Sequence, residues 1–378
     1  MDIKYFDNSA TTKVKEEVLK EMLPYLVKEY GNPSSLYTIG RSARRAIENA
    51  RQRVASLLHC HSDEIYFTSC GSESDNMALK GSAYLERYVM KSNKNHIITS
   101  RIEHPAILNT CESLEKQGFE ITYLNVDEEG FISLQDLENS ITDRTILVSI
   151  MFANNEIGTI EPIEKIAQIT RSHGVLFHTD AVQAVGNVDI DVQKMGIDML
   201  SLSGHKIYAP KGIGAIYIKR GIEIERFLDG GHQEKNKRAG TENVAQIVAL
   251  GKACELAERN LDSYGHRLQE LRDYFFEEIQ RNFKDVKING SLKERLPGNC
   301  NVCFKNVDSS ELILRLDSEG FCVSGGSACS SGDNSVSHVL QAIGVPSDLA
   351  KGAVRVTFGE FNRKDEVDEF IETLKRYV

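Results

Sequence analysis

Short apolar runs alternate with amphipathic helical stretches through the first two thirds of the chain. Apolar spacing of the helical kind predicts helices over 41–58, 73–88, 106–117 and 163–173. Between them, compact apolar runs at 65–68, 96–100, 120–124, 145–151, 176–179, 199–202 and 214–218 read as strands. This alternation predicts an α/β domain with a mostly parallel central sheet flanked by helices. From 243 to about 283 the pattern becomes one long helix, with Gly265 as a candidate bend. Beyond it, short strands and helices at 302–304, 309–319, 321–324, 353–357 and 364–378 describe a smaller α+β domain. The division expected is 16–260 for the large domain and 261–378, joined by 1–15, for the small one. No Pro/Gly-rich linker lies near 260, and the chain has no internal repeat or low-complexity tract.

Composition narrows the function classes. With 378 residues the chain exceeds one ordinary hydrophobic core, which agrees with two domains. A net charge of -10 gives no electrostatic reason to expect nucleic acid or an anionic membrane as partner. No stretch approaches the ~20 apolar residues of a membrane span, and the opening Met1-Asp2-Ile3-Lys4-Tyr5 is too polar for a signal peptide. A cytoplasmic location is the expectation. The eight cysteines are scattered, unlike a small secreted disulfide scaffold, and are expected to be free thiols.

Five segments carry candidate chemistry, four of them coming directly after predicted strands. Asp180 and Lys206 each come after an apolar run, in His178-Thr179-Asp180-Ala181-Val182-Gln183 and Ser203-Gly204-His205-Lys206. An acid and a lysine so placed suit pyridoxal phosphate: the lysine carries the aldehyde, and the carboxylate keeps the pyridine nitrogen protonated. Ser203 and His205 are candidate phosphate ligands. A surface lysine and a capping aspartate are the plain alternative. Ser69-Cys70-Gly71-Ser72-Glu73 joins a strand to a helix, where small residues and the helix N-terminus favour an anion, although a capped turn would look the same. His104, in Glu103-His104-Pro105, can stack on a planar ring and shuttle protons. Asn155, in Asn154-Asn155-Glu156, can bond a ring oxygen or a substrate carboxylate. Cys329 sits among Gly, Ser and Asn, from Ser324 to Asn334, a setting for an exposed nucleophilic thiol rather than a packed one. Cys300 and Cys303 form a lone C-x-x-C; a structural zinc site needs a second pair, and on a strand the two face opposite ways.

These segments, in this order, resemble the NifS/IscS-type cysteine desulfurases, the class V branch of fold-type I pyridoxal enzymes. Ser203-Gly204-His205-Lys206, Arg238-Ala239-Gly240-Thr241-Glu242-Asn243 and Ser327-Ala328-Cys329 are the most specific matches, and the likeness runs from Tyr5 to Gly359. The resemblance implies Lys206 as the cofactor lysine, Asp180 as partner of the pyridine nitrogen, Gln183 as partner of the ring oxygen, and His104 as stacking residue and proton carrier. It implies Gly71, Ser72, Ser203 and His205 around the phosphate. Thr241 would reach the phosphate of a neighbouring subunit, so a homodimer is implied. Asn155 and Arg355 would hold the substrate carboxylate, and Cys329 would accept sulfur from L-cysteine before passing it to an acceptor such as an iron–sulfur scaffold protein. Position 70 is cysteine where glycine is frequent, and position 72 is serine rather than threonine. The rival readings are a selenocysteine lyase or class V aminotransferase and, from another class, a non-catalytic iron–sulfur scaffold or metal-binding protein.

Overall fold

A computed structural model describes residues 3–325 and 336–378. Twelve strands are present among them: β1 (Lys4–Tyr5), β2 (Ile65–Thr68), β3 (His96–Ser100), β4 (Glu120–Leu124), β5 (Thr145–Ser149), β6 (Leu176–Asp180), β7 (Met199–Ser203), β8 (Gly214–Ile218), β9 (Val286–Ile288), β10 (Asn299–Phe304), β11 (Phe321–Cys322) and β12 (Ala353–Thr357). Seven of them form the central sheet in the order β2-β8-β7-β6-β5-β3-β4. Only β8 runs against its neighbours; every other pairing in that sheet is parallel.

Side-chain alternation explains why these short runs are apolar throughout. Ile65 and Phe67 of β2 enter one buried cluster, and Tyr66 enters the cluster on the opposite face. In β8, Ala215 and Tyr217 face the first cluster while Ile216 and Ile218 face the second. A sheet covered on both sides needs apolar residues at both phases of the pleat. One cover includes the helix Thr38–Leu57 and the first part of the helix Val244–Asn282; the other includes the helices Gly71–Tyr84 and Pro105–Glu115.

The helix Val244–Asn282 runs 39 residues through Gly265 without interruption, so that glycine does not end it. Its Ala245, Ile247, Leu250 and Ala253 pack in the cluster beside the central sheet, whereas Leu268, Leu271, Phe275 and Ile279 pack in a second cluster with Val302, Phe304, Val354 and Val356. The position near 260 therefore lies inside a helix, where backbone hydrogen bonds leave no place for a Pro/Gly linker. The second cluster backs the three-stranded sheet β12-β10-β9. The N-terminal segment joins it: β1 pairs with β11, and Phe6 is buried there among Phe321, Phe358 and Phe370.

Several boundaries differ from the sequence expectation. The first turn of Gly71–Tyr84 begins two residues early, and its end passes into a wider turn at Leu85–Val89. β5 ends at Ser149, so Ile150 and Met151 already lead into the loop that carries Asn155. The short helices Glu16–Met22, Leu134–Ser140 and Val192–Met195 are too brief to show a periodic signal. Among the described residues, no helix is long and apolar enough to cross a membrane.

Candidate active site

The carboxyl ends of β2, β3, β5, β6 and β7 lie along one edge of the central sheet, because these strands are parallel in direction. Open α/β sheets collect ligands at that edge. Here it opens into a cavity of about 370 Å³ lined by Gly71, Ser72, His104, Asn155, Asp180, Gln183, Ser203, His205, Lys206 and Arg355. Among the described residues singled out above as site candidates, only Thr241 is missing from that lining.

Lys206 closes a short turn, Gly204–Lys206, after β7, and its Nζ donates to the carbonyl oxygens of Ser9 and Ala10, the latter at 2.8 Å. Asp180 ends the neighbouring β6, is 6 % exposed, and accepts from the Val182 backbone N–H at 2.9 Å. Burial raises its carboxyl above the ordinary aspartate range, while His104 and Lys206 pull the other way. Gln183 Nε2 donates to the Ser9 carbonyl at 3.0 Å. His104 caps the helix Pro105–Glu115, accepting from the Ala106 N–H through Nδ1 at 3.1 Å, which leaves Nε2 to carry the proton of the neutral ring. Burial lowers the His104 value. Burial, with Lys206 and Lys211 adding to it, lowers His205 to about 4, so this ring is neutral near pH 7.

Arg355 lies in β12 and is 1 % exposed. Its Nη2 donates to Asp7 Oδ1 at 2.8 Å and its Nη1 to the Asn155 carbonyl at 3.2 Å, while Nε is buried with no hydrogen-bond partner. The strand alternation alone gives no hint that this guanidinium reaches the sheet edge; its place depends on the second sheet packing over the first. Thr241 is exposed and lines a separate cavity of about 180 Å³. Cys329 lies outside the described residues.

Residues 4–370 match the family model described as aminotransferase class-V. The chain belongs to that family, among the NifS/IscS-type cysteine desulfurases. It is 50% identical over 376 residues to "Cysteine desulfurase IscS" of Clostridium botulinum, covering 99% of this chain and 94% of the relative. A solved NifS-like protein superposes with a TM-score of 0.92 at 37% identity, covering 100% of this chain and 99% of that one. A second structure, SspA in complex with cysteine, has a TM-score of 0.83 at 39% identity and covers 94% of this chain and 98% of the other.

The cofactor of this class-V enzyme is pyridoxal phosphate, and the residues present fit it. The Ser203 hydroxyl is buried without a hydrogen-bond partner at the cavity wall, and an anion's oxygen would satisfy it. At Gly71, which opens the helix Gly71–Tyr84, an added Cβ would lie 2.7 Å from Val182 Cγ2, so a side chain there would have to displace Val182 at the cavity wall. The buried Asp180 carboxyl lacks a full counter-charge, which a protonated ring nitrogen supplies.

Three buried acids in the same region had no assigned role in the sequence. Asp75, 1 % exposed, lines the cavity; burial and the nearby Asp180 raise it well above the ordinary range. Glu156 is raised by burial to about 7 and accepts from Ser337 Oγ at 2.5 Å. Glu103 is fully buried and rises from the ordinary 4.5 to about 8. Its Oε1 accepts from Ser100 Oγ at 2.7 Å and the Met151 N–H at 2.9 Å, and Oε2 has no partner.

Glu103 has a measurable consequence. Between about 4.5 and 8 the folded chain keeps a proton that the unfolded chain releases, so this residue's contribution to stability falls as pH rises. A Glu103→Gln variant copies the protonated form, with its amide at the unpartnered oxygen. Urea unfolding should find it close to wild type at pH 5.5 and more stable by a few kcal/mol at pH 8.5, at about 1.4 kcal/mol for each pH unit. An unchanged difference between the two pH values would refute the assignment.

Proposed function

We propose that this class-V enzyme converts L-cysteine to L-alanine, with the sulfur passing first to Cys329 and then to an acceptor protein. The observation that carries the reading is the meeting of Lys206, Asp180, the Gly71-Ser72-Ser203-His205 group and Arg355 around one cavity. Cysteine desulfurase activity agrees with the relatives; the geometry supports the roles of the cavity residues, and the family likeness supports that of Cys329.

Lys206 would carry the cofactor, with Asp180 beneath its ring nitrogen, Gln183 and Asn155 at its ring oxygen, and His104 against its face. Gly71, Ser72, Ser203 and His205 would hold the phosphate. The bound cofactor supplies an electron sink for the bonds of the substrate's α-carbon. Arg355, already oriented by Asp7 and Asn155, presents the rest of its planar fork to the substrate carboxylate. The Lys206 amine would be the base that takes the α-proton. His104, with Nδ1 engaged at the helix end, offers Nε2 for protons at the substrate sulfur. The Cys329 thiolate would attack that sulfur; the carbon–sulfur bond would break with its electron pair going to the β-carbon, which takes up a proton on the way to L-alanine, and a persulfide would remain on the enzyme.

Thr241 would serve a second copy of the chain, which supports a homodimer: it is exposed and outside its own chain's main cavity. The cytoplasm is the proposed location. An aminotransferase has no use for Cys329, and a selenocysteine lyase would favour the selenium substrate; comparing L-cysteine with L-selenocysteine separates these. Against a metal-binding scaffold stand the relatives, which are named cysteine desulfurases. Cys300 and Cys303 pack in different clusters, on opposite faces of β10.

With L-cysteine and dithiothreitol the protein should release sulfide and L-alanine in equal amounts. Arg355→Lys keeps the charge and loses the fork. Steady-state assays should show KM for L-cysteine raised by about 100-fold, with a smaller change in kcat and an unaltered cofactor spectrum. A KM within twofold of wild type would remove Arg355 from the carboxylate site.

A further inference from the structure

Two ion pairs fasten the segment 234–241, one to the helix Thr38–Leu57 beside β2 and one to the first turn of the helix Gly71–Tyr84. Glu234 makes a buried two-point pair with Arg51, both contacts at 2.8 Å, and also accepts from the Phe67 N–H at 2.8 Å. Further along the segment, Arg238 Nε and Nη2 donate to the Glu73 carboxylate at 2.7 and 3.2 Å. The same carboxylate accepts from the Ser69 N–H at 2.7 Å and from the Ser69 hydroxyl at 2.5 Å. Glu73 is therefore held from both sides, in the first turn of the helix and next to Ser72.

This arrangement matters for phosphate geometry. A helix N-terminus binds an anion only if its first N–H groups are aimed at one point. The turn Ser69–Ser72 has no side-chain cap of its own at Cys70. The Glu73 carboxylate braces the turn instead, accepting from Ser69 ahead of the helix and leaving the first-turn N–H groups uncapped, and Arg238 fixes where the carboxylate sits. A second, independent sign that an anion belongs here is the Ser203 hydroxyl, buried and without a hydrogen-bond partner at the same cavity.

We infer that Glu73 and Arg238 form a positioning pair that sets the aim of the Gly71–Ser72 phosphate cradle and fixes it in register with the segment bearing Thr241. The inference rests on the reading of Gly71, Ser72, Ser203 and His205 as the phosphate site. Neither member of the pair lines the main cavity, so the pair acts through the turn it holds.

The test compares pyridoxal phosphate with pyridoxal, which lacks the phosphate, titrated into the full-length protein freed of cofactor and followed by visible absorbance. Glu73→Gln should weaken pyridoxal phosphate binding by about tenfold, a loss typical of a charge-assisted hydrogen bond. Pyridoxal affinity should change by less than about twofold, since pyridoxal has no phosphate to aim at. Arg238→Lys keeps the charge without the fork and should show a smaller loss of the same selectivity; it carries the test alone if E73Q does not fold. Equal losses for both vitamers would mean a merely structural pair, and no loss for either would mean no role; both overturn the inference. Ser72→Ala is the control for the underlying reading. If it shows no phosphate-selective loss, the cradle itself is misplaced and the pair's role falls with it; if it does and E73Q does not, only the inference fails.

Discussion

Cys329→Ser is expected to keep the yellow colour of the bound cofactor and to lose L-alanine release by at least about a thousandfold, since an alcohol at neutral pH neither ionises nor attacks sulfur as a thiolate does. The described chain on both sides of this residue is tied to the cavity walls. Ser324 exchanges backbone hydrogen bonds with Arg355, at 3.2 and 2.8 Å. Ser337 donates to Glu156, and His338, itself a cavity residue, pairs through Nε2 with the Glu103 carbonyl at 3.0 Å. The measurement is alanine release from L-cysteine under reductant, with mass analysis for persulfide on the intact chain. Turnover within tenfold of wild type would reject Cys329 as the sulfur acceptor, leaving the cofactor assignments untouched.

Lys206→Ala should do the converse. The absorption band of lysine-bound cofactor should vanish, borohydride should no longer fix a pyridoxyl mass to the chain, and kcat should fall by about 10⁴ or more because the α-proton loses its base. Lys206→Arg sharpens the result. It retains a cation able to meet the Ser9 and Ala10 carbonyls, so folding contacts are preserved while no covalent link can form. If borohydride still fixed the cofactor in Lys206→Ala, another amine would have to be the anchor. Cys70, whose thiol does line this cavity, is the contrasting case: it sits beside Gly71, the Ser69 hydroxyl lies 3.7 Å from its sulfur, and nothing in the proposed chemistry requires it.

Asp180, Lys206, Gly71, His104 and Asn155 were visible in the amino-acid order alone because each comes at or soon after the end of an apolar run. Parallel strands deliver the residues beyond their carboxyl ends to a common edge, so local pattern and site location are the same information there. The C-x-x-C at Cys300 was legible for a similar reason: on a strand, residues three apart face opposite ways, and these two do. Arg355, Thr241 and Gln183 were assigned by family likeness and not by pattern. Glu103, Asp75 and Glu156 lie inside segments already singled out, yet their chemistry stayed hidden, because a carboxyl's protonation depends on burial that sequence neighbours do not set.

The order of residues determined the alternation of strand and helix, the sheet edge, and the set of polar side chains delivered to it. Tertiary structure decided which of those side chains have partners: Arg355 with Asp7 across 348 positions and Arg238 with Glu73 across 165. Such pairs arise only when separate sheets and loops pack together. A polar residue reports its own type along the chain, but its charge state and aim are properties of the neighbours that folding brings.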